Sequence, residues 1–218
     1  MFPLYDTVRS RTFPLINLTL ILANILAFLY ELRMDPAVLK EFIFTWGLIP
    51  ARFLSDPSTT WTTLFSSMFL HGGWFHFLSN MWVLYIFEDN IEDRVGTAPY
   101  LLFYLLSGAA AALLQTYITQ GSSVPMIGAS GAIAGVLGAY LISYPGARIA
   151  SLVPILFIFT IVDVPAVLFL IFWFVSQLYS GLFAIQGGSA SGIAWWAHIG
   201  GFIFGLIMVS FFGRHQRY

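Results

Sequence analysis

Ser130 sits in the stretch MIGASGAIAG, residues 126–135, a single hydroxyl among glycines and alanines. A serine hydroxyl is a weak nucleophile until a base takes its proton. The natural candidate for that base is His198, in AHIGGFIFG at 197–205. His76 and Asn80 stand four residues apart, so on a helix they share one face. Two donors side by side suit the negative oxygen of a tetrahedral intermediate. A nucleophile, a base and a pair of donors are the parts of an acyl-transfer site. Each part alone has a plainer reading. A GxSG string packs membrane helices, a lone helical histidine is most often a satisfied packing residue, and an asparagine in a membrane helix is most often interhelical glue.

The weight comes from the elements that must carry these residues. The chain is 59% hydrophobic and 9% charged, with a mean hydropathy of +0.84. Soluble domains run near 25% charged, so so much apolar surface needs the bilayer as its solvent. The sequence predicts an all-α polytopic membrane protein, one domain over 1–218. Its six helices are expected at about 14–32, 74–92, 98–118, 128–144, 165–185 and 193–212. Runs near 20 apolar residues are the length a spanning helix needs. The first run is too long, and lacks a small-residue cleavage site, for a signal peptide.

Between the first two helices lies a long loop, 33–73, with Trp46, Phe53, Trp61, Phe65, Met68 and Phe69. So many apolar anchors predict a membrane-associated loop. The stretch IASLVPILFIFTIV, 149–162, has Pro154 inside it and is too short to span. It is expected to be interfacial or re-entrant. Glu88, Asp89, Glu92 and Asp93 read as a solvated helix end.

Charge bias favours six spans over seven. Arg9, Arg11, Arg94, Arg148, Arg214 and Arg217 then fall on one side, cytoplasmic by the positive-inside rule. Both termini would be cytoplasmic, in a cell (plasma) inner membrane. Helices 2, 4 and 6 would all enter from outside, which places His76, Asn80, Ser130 and His198 at one depth near the outer face. Ionisable groups at membrane depth are costly and functional by default. Gly201 and Gly205 lie on the face of His198, and Ala134 and Gly138 give Ser130's helix a matching small face. Such faces let backbones meet. His71 reads as a loop residue that anchors the approach to the second helix.

Several classes drop out. The net charge is −1 and no basic stretch suggests nucleic acid. With no cysteine there is no thiolate chemistry. Two separated histidines without nearby carboxylates make a poor zinc site, so no metal or cofactor is expected. A transporter would show repeat symmetry or paired broken helices, and none is apparent.

These motifs resemble the rhomboid family of intramembrane serine proteases. GASG at 128–131 is similar to the family's GxSG motif, and AHIGGFIFG at 197–205 to its AHxxGxxxG helix. HGGWFHFLSN at 71–80 matches the HxxxN element at His76 and Asn80, and IEDRVG at 91–96 resembles the ExRxG segment, with structural roles for Glu92 and Arg94. The resemblance implies a Ser130–His198 dyad with His76 and Asn80 at the oxyanion. It also implies single-span transmembrane protein substrates, cut near the outer surface within membrane lipid. The alternative is a non-enzymatic, pseudoprotease-like protein that binds transmembrane clients. Two positions depart from the family pattern. Thr62 follows Trp61 where arginine is common, and Ala134 replaces an aromatic residue one turn after the serine, leaving the orientation of His198 to other groups. Helix 5, with Trp173, Phe174 and the QGGSASG loop at 186–192, is the expected gate.

Overall fold

The computed structural model describes residues 1–155, 158–186 and 192–212. Arg214 and Arg217, and most of the QGGSASG loop, lie outside the described residues. The chain opens with strand β1 (Phe2–Asp6) and helix α1 (Leu15–Glu31). Four short helices follow: α2 (Pro36–Trp46), α3 (Pro50–Ser55), α4 (Pro57–Thr60) and α5 (Thr63–Ser66). A 3-10 turn, Ser67–Phe69, leads into α6 (Trp74–Val95), α7 (Thr97–Ile118) and α8 (Ser130–Ser143). Strands β2 (Arg148–Ile155) and β3 (Ile158–Pro165) precede α9 (Ala166–Ile185) and α10 (Trp195–Phe212).

α1 shows what solvent the bundle was built for. Its inward stripe is Asn17, Leu20, Asn24, Phe28 and Glu31, spaced by three or four residues. Leu15, Leu18, Leu22, Leu26 and Leu29 are exposed. Polar groups inside and leucines outside invert the pattern of a water-facing helix, so the outer surface faces lipid. α7, α9 and α10 are long and apolar enough to cross a membrane, while α1 and α8 are shorter apolar helices. The protein is an integral, multi-pass membrane protein, mostly helical.

α8 is the central element: every residue from Gly131 to Tyr140 is buried. It packs on α10, α7, α6 and α9. The approach to α10 is backbone to backbone. A methyl group on Gly201 would meet the Gly131 carbonyl, one on Gly205 the Gly135 carbonyl, and one on Gly138 the Phe202 carbonyl. The α8 partners of Gly201 and Gly205 are therefore Gly131 and Gly135, one residue round from the expected Ala134.

The described residues of the stretch 149–162 are extended, not helical: they form most of a β-hairpin, β2 against β3, with β1 on the other edge of β2. Proline explains the choice, because Pro154 would break a helix interior. In the sheet it lies opposite Phe159 of β3, close to the hairpin's turn and beyond Leu152, the last residue of β2 that β1 pairs, a position nearer the edge of the ladder where proline is better tolerated. The sheet sits at the end of the bundle away from the start of α8. There Asp6 accepts from the Tyr140 hydroxyl and from Asn90 Nδ2 at 2.9 Å, tying β1 to α8 and α6.

The acidic end of α6 also differs from expectation. Glu88 and Glu92 are buried, not solvated. Glu88 accepts from the Tyr100 hydroxyl, and Glu92 accepts from the backbone at the start of α1. The long loop, too, belongs partly to the core. Leu48, Ile49, Met68 and Leu70 are buried, although Trp46 and Trp61 are exposed.

Candidate active site

Three helices begin around one cavity. α6 starts two residues before His76, α8 starts at Ser130, and α10 starts three residues before His198. The starts of α8 and α10 are fixed by hydrogen bonds from elsewhere. Leu48 and Met126 exchange backbone bonds at 3.1 and 2.7 Å, and Ala51 N–H donates to the Ser122 carbonyl at 3.1 Å. Gly128 N–H donates to the Ser67 carbonyl at 2.8 Å. The long loop thereby clamps the segment that delivers the serine. α10 is aligned from α7, where Gln115 Oε1 accepts the Ala197 N–H at 3.1 Å.

Ser130 Oγ lies 2.8 Å from His198 Nε2. The other ring nitrogen, Nδ1, lies 2.8 Å from Gln177 Oε1 on α9. Two indoles flank the imidazole, Trp173 with its centroid 6.0 Å away and Trp195 edge-on at 6.1 Å. The aromatic group absent at Ala134 is thus supplied from α9, by Trp173. Trp173, on the helix expected to act as the gate, packs inward on His198 and Phe202.

His76 and Asn80 point at the backbone before the serine. Gly72 N–H approaches His76 Nδ1 at 3.4 Å, which leaves the proton on Nε2. Asn80 is 6% exposed, and its Nδ2 has no partner within the protein. A methyl group on Gly128 would lie 3.6 Å from Asn80 Nδ2 and collide with His76 Nε2. Glycine is needed there twice over, because its φ of +117° is also strained for any side chain. The result is two N–H donors converging beside Ser130.

These groups line a cavity of about 550 Å³, with Trp173 and Gln177 on one wall and Phe75, Ser79 and Val83 of α6 on the other. A buried donor without a partner is unusual, and here it belongs to a residue that lines the cavity beside the Ser130–His198 pair. The geometry has what acyl transfer needs: a hydroxyl, a base within hydrogen-bond reach, and donors for a developing oxyanion.

His71 stands behind this site. It is buried, its ring lies edge-on to His76 with centroids 5.1 Å apart, and its backbone N–H donates to the Glu31 carboxylate at 3.2 Å. Burial pushes its imidazole down to about 4, so it is neutral at neutral pH and adds no charge beside the donors. Its expected anchoring contact is this bond to the end of α1. Glu31, Gln115 and Gln177 are the contributors that sequence reasoning passed over. The available signal was their polarity inside otherwise apolar runs, which is costly without a partner.

Residues 58–215, well over half of the chain, match the sequence model of the Rhomboid domain. The protein named "Putative rhomboid protease YdcA" of Bacillus subtilis (strain 168) is 30% identical over 131 residues, covering 60% of this chain and 63% of that protein. The presenilin-associated rhomboid-like protein, mitochondrial, of Homo sapiens is 31% identical over 144 residues, covering 65% of this chain and 36% of its own length. Rhomboid-like protein 11, chloroplastic, of Arabidopsis thaliana is 31% identical over 98 residues, covering 45% and 35%. The chain spans less than two thirds of the length of each of these relatives.

Proposed function

The chain belongs to the rhomboid family, and from that premise we propose that it is an intramembrane serine endopeptidase. Ser130 Oγ attacks the carbonyl carbon of a substrate peptide bond as His198 Nε2 takes the hydroxyl proton. The tetrahedral oxyanion is held by His76 Nε2–H, Asn80 Nδ2–H and the Ser130 backbone N–H. Collapse breaks the C–N bond, and His198 returns the proton to the leaving amine. Water, activated by the same imidazole, then releases the acyl group from Ser130. The observation that carries this reading is the 2.8 Å approach of Ser130 Oγ to His198 Nε2 on a cavity that also holds the unpartnered Asn80 amide.

The substrates are single-span transmembrane proteins. A membrane helix hides its carbonyls in its own hydrogen bonds, and unwinding in lipid leaves them unsatisfied at several kcal/mol each. A cavity at the starts of three helices lies near the membrane surface, where water can satisfy them. Helices weakened by Gly, Pro or polar residues at that depth are therefore preferred. Six spans, α1 and α6 to α10, with both termini cytoplasmic, agree with Arg9, Arg11, Arg94 and Arg148 lying at the sheet end of the bundle. The membrane is a cell inner membrane. Single cysteines at Ser123 and Gly146 test that topology, since an impermeant reagent outside the cell should label the first and not the second.

The deciding experiment is cleavage of a Gly/Pro-weakened single-span substrate in liposomes. Ser130→Ala and His198→Ala should each abolish it, and the double variant should be little worse, because groups acting as a unit are non-additive. A fluorophosphonate should label the native chain and not Ser130→Ala. Cleavage by Ser130→Ala would end the protease reading. Substrate capture without cleavage by the native chain would make it a client-binding pseudoprotease.

A further inference from the structure

Gln177 lies mid-way along α9 and is 7% exposed, a buried amide in a largely apolar helix. Its orientation is determined by its own neighbours. Gln177 Nε2 donates to the Trp173 carbonyl at 3.3 Å and to Ser176 Oγ at 3.0 Å. The Ser176 hydroxyl donates its proton to the same Trp173 carbonyl at 2.6 Å, so its oxygen can only accept from the amide. Turning the amide over would set oxygen against oxygen. Oε1 therefore faces His198 Nδ1, at 2.8 Å.

An amide oxygen has no proton to give. The bond exists only if His198 carries its proton on Nδ1, and that leaves Nε2 with its lone pair toward Ser130. Trp173 and Trp195 restrict the ring from two sides but cannot choose the tautomer, because neither presents an acceptor to it. We propose that Gln177 is the positioning residue of the dyad, a neutral third member that holds His198 as the Nδ1–H tautomer with Nε2 aimed at Ser130 Oγ. This rests on the dyad reading given above. It assigns the role to an uncharged amide, which sets ring direction and proton position without placing a second charge at membrane depth.

The test compares Gln177→Leu and Gln177→Glu with the native chain and Ser130→Ala, each as the full chain in liposomes. Gln177→Leu keeps the volume and loses the acceptor; Gln177→Glu keeps an acceptor oxygen at the same reach. A misaligned catalytic group costs on the order of a hundredfold. Gln177→Leu should accordingly lower kcat and the fluorophosphonate labelling rate by about ten- to a hundredfold, with KM within about threefold because both polar atoms of the amide are bonded inside the protein and not offered to the substrate. Gln177→Glu should restore most of the rate. Nitrogen-15 NMR of His198, assigned by comparison with His198→Ala, should show the proton on Nδ1 in the native chain and no longer confined there in Gln177→Leu. If Gln177→Leu does not fold, Gln177→Asn decides, since its shorter side chain withdraws the acceptor and should give the same loss of kcat. Native kcat in the folded Leu or Asn variant, or a Glu variant as slow as Leu, overturns the positioning role while Ser130→Ala remains inactive. Activity in Ser130→Ala instead overturns the dyad beneath it.

Discussion

Glu92 on α6 holds Asn17 on α1: its carboxylate accepts the Asn17 backbone N–H at 2.9 Å and, through its other oxygen, that of Ile16 at 3.0 Å. Helix N-termini leave their first N–H groups without intrahelical partners, and α1 begins at Leu15 with no side-chain cap of its own. A residue 75 positions away performs that task. Glu92→Ala should leave two N–H groups unmet in a buried setting, at about 1–3 kcal/mol. Glu92→Gln retains one acceptor and should lose less. Thermal unfolding in detergent measures both, and a Glu92→Ala chain as stable as the native one would show that water caps α1 instead.

The α8–α10 contact should be intolerant of side chains. Gly201→Val would drive a branched group into the Gly131 carbonyl, and Gly205→Leu would do the same at Gly135. Overpacking of this kind costs about 1–3 kcal/mol, and here it also separates Ser130 from His198. Both variants should melt lower and lose nearly all cleavage. Gly121→Ala, where an added methyl meets nothing within 4 Å, serves as the control. Full activity in either variant would mean that the helices can part without parting the pair.

Asp6 should make stability fall with rising pH. Burial raises its carboxyl from 3.8 to about 6, despite the opposing hydrogen bond from Tyr140. The folded state then holds this proton more tightly than the unfolded one. Its contribution is fully present below about pH 4 and is lost as pH rises through 6. For a half-buried group screened by solvent the change should be about 1 kcal/mol. Asp6→Asn should flatten the pH dependence of the melting temperature between 4 and 6. An unaltered profile would place the titration on another group.

Entry of a transmembrane substrate can be tested by pinning α9. Of the three long apolar helices α9 is the least covered, and its Trp173 and Gln177 form one wall of the cavity. A Cβ on Gly181 would lie 3.4 Å from Trp195 Cβ, near the roughly 3.8 Å typical of a disulfide. The chain has no cysteine of its own. In Gly181→Cys/Trp195→Cys, oxidation should stop cleavage of transmembrane substrates, leave labelling by a small fluorophosphonate intact, and be reversed by a reductant. Equal cleavage in the oxidised and reduced forms would show that substrates enter without moving α9 from α10.

The sequence by itself settled whatever depends on local pattern. A chain so apolar could not be soluble, because composition fixes how much surface must avoid water. Helical periodicity put His76 with Asn80 on one face and Gly201 with Gly205 on another, since spacing of three or four residues fixes direction around a helix axis. The motifs around Ser130 and His198 carried enough of the family pattern to be recognised. What spacing cannot express is which face of one element meets which face of another. The hairpin at β2 and β3 depended on pairing with β1, nearly 150 residues earlier in register, as Phe2 lies opposite Leu152. The fate of Glu88 and Glu92 depended on Tyr100 and on the start of α1, because a carboxylate is buried only where distant donors receive it. Gln177 became the neighbour of His198 only when α9 packed on α10. Hydrogen-bond partners are chosen across the fold, so tertiary structure alone decided what holds the imidazole in place.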